Sequence, residues 1–287
     1  MVVSQAELSS RILDCLDRRV TINAVVELRR AAAGERSPDP HDPKSIAIGL
    51  DTNTIFKFGT DRSNTDAVDY LASRHAGPLI LPGQVIQEFW NNRLSAIDTQ
   101  ADVLRTRYKT LAEEVLKLED SFGEYHSRFQ LLLDEFRDNF SFAFDSNTAS
   151  RIGSILTTLQ NRSIVAFVPR AMFADLAAIR DQTKTPPGFK DSGHGDFYVW
   201  ADFLLGLLSA RDDGALIDKA VLITGDEKVD WSRGGQAHPI LVAEANALLG
   251  IPFETWSLSR FREFVSVQLA QVPTGTADIV VEAEPTA

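Results

Sequence analysis

At 287 residues, 44% of them hydrophobic, the chain can bury a sizeable core in one large domain or in one domain with an insertion. Its 40 acids against 29 bases give a net charge of −11. That argues against binding nucleic acid through a broad basic surface, but leaves room for an acidic site that reaches phosphate through bound cations. A single cysteine, Cys15, excludes an intramolecular disulfide and a thiolate zinc site. No apolar run approaches the roughly 20 residues of a membrane span. The start, MVVSQAELSSRILDCLDRR, lacks the apolar core of a signal peptide, so a reducing, cytoplasmic setting is expected.

From about Gln5 to Arg30, apolar residues at Leu8, Ile12, Cys15, Leu16 and Val20 predict helix. The Pro- and Asp-rich stretch Ala31 to Lys44 follows, and its second half at least reads as a linker or long loop. Residues 1–44 are therefore set apart from a main domain over 45–265. Five short apolar runs mark strands: SIAIGLD from Ser45, PLILP from Pro78, SIVAFVP from Ser163, KAVLITGD from Lys219 and IPFETW from Ile251. Helical patterns separate them. Short buried strands alternating with helices predict an α/β layered fold with a mainly parallel sheet.

Between the second and third runs the pattern changes. Residues of about 95–160 carry apolar positions at spacings of three and four, with no proline up to Asp138, and predict an inserted long helical hairpin. The plainer reading is a structural arm, or one through which a homodimer forms. Arg105, Arg107 and Lys109 also make it a candidate clamp on a polyanion, although Glu113, Glu114, Glu119 and Asp120 follow directly and weaken that case. The tail beyond 265, and above all 271–287, is expected to be disordered.

Four acids stand out by position. Asp51 ends the first strand run and Asp226 the fourth; Glu88 lies in the helical pattern after the second; Asp196 opens the aromatic helix FYVWADFLL. In an open α/β sheet, ligands bind beyond the carboxyl ends of the strands. Taken singly, each acid has a plain explanation as a turn residue, an N-cap or an exposed helix acid. Converging, they would repel one another unless a hard divalent cation joined them. Such a cation lowers the pKa of bound water and offsets charge on a phosphoryl group, so no serine or cysteine nucleophile is required. Other candidates are weaker. Cys15 and His41 have no local context as a thiol pair, and His194 between two glycines reads as a solvated loop residue that could contact substrate. LDTNT resembles the nucleophile strand end of haloacid-dehalogenase phosphatases, but Asn53 stands where the second acid is needed. No phosphate-binding G-x-x-x-x-G-K-[ST] occurs.

In order, IGLDTNTIFKF, LPGQVIQEFWNN, PPGFKDSGHGDFYVW, VLITGDEKVDW and AHPILVAEA resemble the PIN-like nuclease domain. The PPGFKD and TGDEKVDW segments are similar to those of a large bacterial PIN-like subfamily with PPG-[FY]-K-D and T-x-D-x-K-x-D-W motifs and a long helical insertion. The resemblance covers about Ile46 to Phe264. It implies a three-layer α/β/α sandwich whose acids hold one or two Mg2+ or Mn2+ ions. The family's four acids match Asp51, Glu88, Asp196 and Asp226. Asp191 and Asp230 match further acids that could serve as outer-shell or second-metal ligands. Thr224 matches a hydroxyl near the last acid, while Lys190 and Lys228 are candidates for phosphate contact, with His194 beside them. Only SGH separates the loop Asp from the GD pair, a departure from relatives with more charge there. The implied activity is metal-dependent endonucleolysis, in RNA before DNA. The alternative is a non-catalytic PIN-like module that binds nucleic acid or a protein.

Overall fold

A computed structural model of the chain describes residues 3–94, 106–111, 113–114, 124–139, 148–190, 193–225 and 229–270. The strands are β1 (Ile46–Leu50), β2 (Leu79–Pro82), β3 (Ser163–Ala166), β4 (Lys219–Ile223), β5 (Ser232–Arg233), β6 (Gln236–Ala237) and β7 (Phe253–Trp256). All five expected runs form strands, and they join one parallel sheet in the order β3-β2-β1-β4-β7. The hairpin β5-β6 stands apart from it. Parallel strands must be covered on both faces, and the central ones are: Ile46, Ile48, Leu50, Val221, Leu222 and Ile223 are fully buried. The edge strand β3 is only partly covered, with Val165 exposed. From β1 the chain adds β2 and β3 on one side; β4 then returns to the other side of β1 and is followed by β7. The order thus reverses between β1 and β4, where open α/β sheets place their ligand crevice.

The helices are α1 (Gln5–Leu16), α2 (Ala24–Ala32), α3 (Thr52–Thr60), α4 (Thr65–Asp69), α5 (Gly83–Glu88), α6 (Glu124–Asn139), α7 (Thr148–Arg162), α8 (Arg170–Gln182), α9 (Gly195–Asp212), α10 (Pro239–Leu249) and α11 (Leu258–Ala270). One layer contains α1, α2, α9 and α10, joined to α8 through Arg180. The other contains α3, α4, α7 and α11. The fold is a three-layer α/β/α sandwich. Among the described residues no helix is long and apolar enough to cross a membrane.

Two expectations need correction. The first 30 residues form two helices, not one. A capping box of Ser4 and Glu7 starts α1, and Arg18 ends it in the left-handed region, at φ 61°. The β-branched run Val20-Thr21-Ile22 then disfavours helix before α2 begins. Helix α1 is also part of the main core, through Leu8, Ile12 and Leu16. The loop after α2 is pinned as well: buried Lys219 donates to Ser37 O at 2.8 Å and pairs with Asp39 at 2.7 Å and Glu254 at 3.1 Å. The expected arm is the second case. Its last helix, α7, buries Ile152, Ile155 and Leu159 in the core and packs on α3, where Arg151 Nε donates to Gly59 O at 3.0 Å. Before α7, described residues 106–111 meet α6 through Tyr108 Oη, which donates to Leu133 O at 3.3 Å. Arg105, Glu119, Asp120 and the tail 271–287 lie outside the described residues.

His75, after the π-helical turn Tyr70–Arg74, is buried, and burial pulls its imidazole down to about 4. The folded state therefore holds it neutral, and the unfolded chain takes up the proton first. Its contribution to stability is present above about pH 6.5 and is lost as pH falls toward 4. His75→Phe should flatten the acid limb of stability over that window by on the order of 2–3 kcal/mol, measured by urea unfolding at several pH values.

Candidate active site

Asp51 follows β1 directly and N-caps α3, its Oδ1 accepting from the Thr54 N–H at 2.7 Å. Its Oδ2 accepts from the Thr224 hydroxyl, which comes from just beyond β4. Leu50 pairs in register with Ile223, and this sets the two positions side by side. Thr54 Oγ1 closes the junction by donating to Ile223 O at 2.9 Å. Burial pushes the Asp51 carboxyl up from its usual range, opposed by hydrogen bonds from Thr224, Thr54 and the Gly225 backbone.

Glu88 ends α5, the helix that leaves β2. Thr52, next to Asp51, donates to its Oε2 at 3.0 Å, and Gln84, one turn earlier, donates to its Oε1 at 3.1 Å. The same carboxylate lies against Gly195, where an added Cβ would collide with Glu88 Oε1. Gly195 is the neighbour of Asp196, in the first turn of α9. Asp51, Glu88 and Asp196 are therefore linked through adjacent residues, at the edge where the strand order reverses. The aromatic run after Asp196 packs as expected: Phe197, Trp200 and Phe203 are buried under the sheet.

The Pro-Gly loop is braced from three directions. It contains a cis Pro186–Pro187 bond, and Arg180 donates to Pro186 O. Gly188 adopts φ +97°, a conformation that favours glycine, and a Cβ there would crowd Asp196 Cβ at 3.1 Å. Asp230 is fully buried; its Oδ2 accepts from the N–H of Gly188 at 3.0 Å and of Lys190 at 3.3 Å. Its visible role is to hold this loop. Lys190 is exposed, with its ammonium 5.9 Å from the Phe189 ring centre, and His194 is half-buried as the N-cap residue of α9. Asp191, Asp226 and Lys228 lie outside the described residues.

Sequence reading passes over three residues here. Thr52 and Gln84 orient Glu88; the adjacency of Thr52 to Asp51 and the i,i+4 spacing of Gln84 to Glu88 were the available signals. Lys57, one turn after Asn53 on α3, has its ammonium 3.2 Å from where a Gly225 Cβ would lie. Among the described residues, no three His, Cys, Asp or Glu side chains are grouped closely enough to hold a metal ion. The donors at the edge are all oxygens, from carboxylates and hydroxyls, which suits a hard cation such as Mg2+ or Mn2+. Compared with protein-family models, curated proteins and solved structures, the chain matches none.

Proposed function

We propose that the chain is a metal-dependent endonuclease that hydrolyses phosphodiester bonds in RNA, with Asp51, Glu88, Asp196 and Asp226 holding Mg2+ or Mn2+. The observation that carries this reading is the meeting of three distant segments: Thr52 bonds Glu88, and Glu88 presses on Gly195. Asp51 and Asp196 are the next residues along the chain. RNA as the substrate class, and Asp226 as the fourth acid, rest on the family resemblance. The chemistry that a bound divalent cation supplies is Lewis-acid activation of water and neutralisation of charge at phosphorus. The chain's own groups orient the carboxylates. Thr224 and Thr54 fix Asp51, while Thr52 and Gln84 fix Glu88. Lys57 and Lys190 can meet phosphate oxygens at the mouth. No side chain needs to form a covalent intermediate.

The test is incubation of the purified protein with labelled single-stranded RNA and, separately, DNA, each with Mn2+, Mg2+ or EDTA. Internal cleavage of RNA that requires metal is the expected result. A folded protein that binds RNA but cleaves it under no condition would be the non-catalytic module instead. Gly195→Ala gives a finer check. The new methyl must displace the Glu88 carboxylate, so cleavage should fall by about 10-fold or more. Stability should change by less than about 1 kcal/mol, since alanine suits a helix better than glycine.

A further inference from the structure

Beside the acids, at the carboxyl ends of β4 and β7, lies an open groove of about 660 Å³. Its walls come from separate elements. Thr224 and Gly225 form the side shared with the acid cluster; Lys57 reaches in from α3, Arg233 from the β5-β6 hairpin and Arg262 from α11. Gly234 and Gly235, both at positive φ, turn the hairpin that carries Arg233. Asp61 is the one carboxylate among the described lining residues, and its Oδ1 accepts from Ser63 N–H at 2.9 Å.

In a chain of net charge −11, cations usually find carboxylates. Here they do not. Among the described residues Lys57 and Arg233 make no ion pair, and Arg262 donates to Ser63 Oγ at 2.7 Å instead. Ser232, Ser257 and Ser259 add hydroxyls, and buried Thr255 Oγ1 has no partner among the described residues. The only aromatic residue in the described lining, Trp256, is buried and donates its indole N–H to Glu254, so it offers no face for stacking a base. Cations and hydroxyls without a stacking platform fit a phosphodiester backbone rather than bases.

We infer that this groove binds the sugar–phosphate backbone of a single strand beside the acids, without reading sequence. The inference takes from the nuclease reading only the strand's path across Asp51. Binding itself can be measured without cleavage.

The experiment is fluorescence anisotropy in EDTA with a labelled single-stranded RNA of about a dozen nucleotides, over a range of salt. Wild type is compared with Arg233→Ala/Arg262→Ala and with Arg29→Ala, which changes an exposed arginine on α2 outside the groove. The groove variant should bind about 10-fold or more weakly, and its log–log salt slope should be shallower by about 1.4, at roughly 0.7 for each phosphate no longer neutralised. Arg29→Ala should match wild type, and all three should share one melting temperature. Equal binding by the groove variant, equal weakening by Arg29→Ala, or no binding by wild type would overturn the inference. So would displacement of RNA by polyglutamate as effective as by unlabelled RNA, which would make the groove a general acidic-peptide site. Failure of the nuclease reading looks different: RNA bound through the groove, but not cleaved with any metal.

Discussion

Asp51→Asn should abolish metal-dependent cleavage, with kcat down by about a thousandfold or more, and leave the chain folded. On the proposed mechanism, losing Asp51 as a ligand to the cation would remove several kcal/mol of transition-state stabilisation, at about 1.4 kcal/mol per decade of rate. The fold should tolerate the change for local reasons. Asparagine is as good an N-cap as aspartate, so the Thr54 N–H keeps its acceptor. The Thr224 hydroxyl can rotate to meet either end of an amide. Burial already opposes the charge on Asp51, so removing that charge should keep or raise the melting temperature in EDTA. The decisive comparison is melting with and without Mn2+: wild type should gain stability from the ion and the variant should gain little. Initial rates on labelled RNA complete the measurement. Wild-type cleavage by Asp51→Asn would show that the site is misplaced. A variant melting far below wild type in EDTA would show that the missing activity reflects a missing fold.

The sheet was legible because fully buried parallel strands have no polar face to disguise them. SIAIG and KAVLI read as continuous apolar runs, and the structure gives β1 and β4 over nearly the same residues. Asp51 was picked out at one of those strand ends, Glu88 in the helical pattern after the second strand, and Asp196 at the start of an aromatic helix. The links between them were not legible. Nothing in the sequence says that Thr52 reaches Glu88, or that Glu88 lies against Gly195, because both depend on how α5 and α9 are laid over the sheet. Apolar spacing also ran the N-terminal helix through Val20-Thr21-Ile22, where a backbone preference outweighed periodicity. The groove cations went unread, although SRGGQA carries a two-glycine hairpin signal that could have flagged Arg233. Buried charges were least legible. Asp202 on α9 looks like one more helix acid. Yet it accepts from both terminal guanidinium nitrogens of Arg170, Nη1 and Nη2, at 2.8 Å and from the N–H groups of Val168 and Gln84, so it fixes α5 and α8 to α9 beneath the site.

Glu244→Ala should cost about 3–5 kcal/mol of stability, the largest loss expected from one substitution outside the site. Glu244 on α10 is fully buried and gathers donors from three other segments. Arg180 Nη1 lies at 2.8 Å, Arg18 Nη1 at 2.7 Å and the Trp200 indole N–H at 2.7 Å. Alanine would leave the Arg180 guanidinium without its carboxylate in the core, and it is that unmatched charge, more than the missing hydrogen bonds, that sets the magnitude. The consequence reaches the acids because Arg180 also donates to Leu16 O and to Pro186 O, tying α1 and the Pro-Gly loop to one point. Cleavage should therefore weaken although Glu244 touches none of the acids. Urea unfolding of wild type, Glu244→Ala, Glu244→Gln and Glu244→Leu/Arg180→Leu separates the contributions. Glutamine keeps one acceptor oxygen, for the Trp200 side or the arginine side but not both, so it should fall between wild type and alanine. The double leucine variant removes both charges and should recover a large part of the loss, as apolar replacements of buried ion pairs do. A loss below about 1 kcal/mol in Glu244→Ala would mean that water entering the space left by the carboxylate satisfies Arg180.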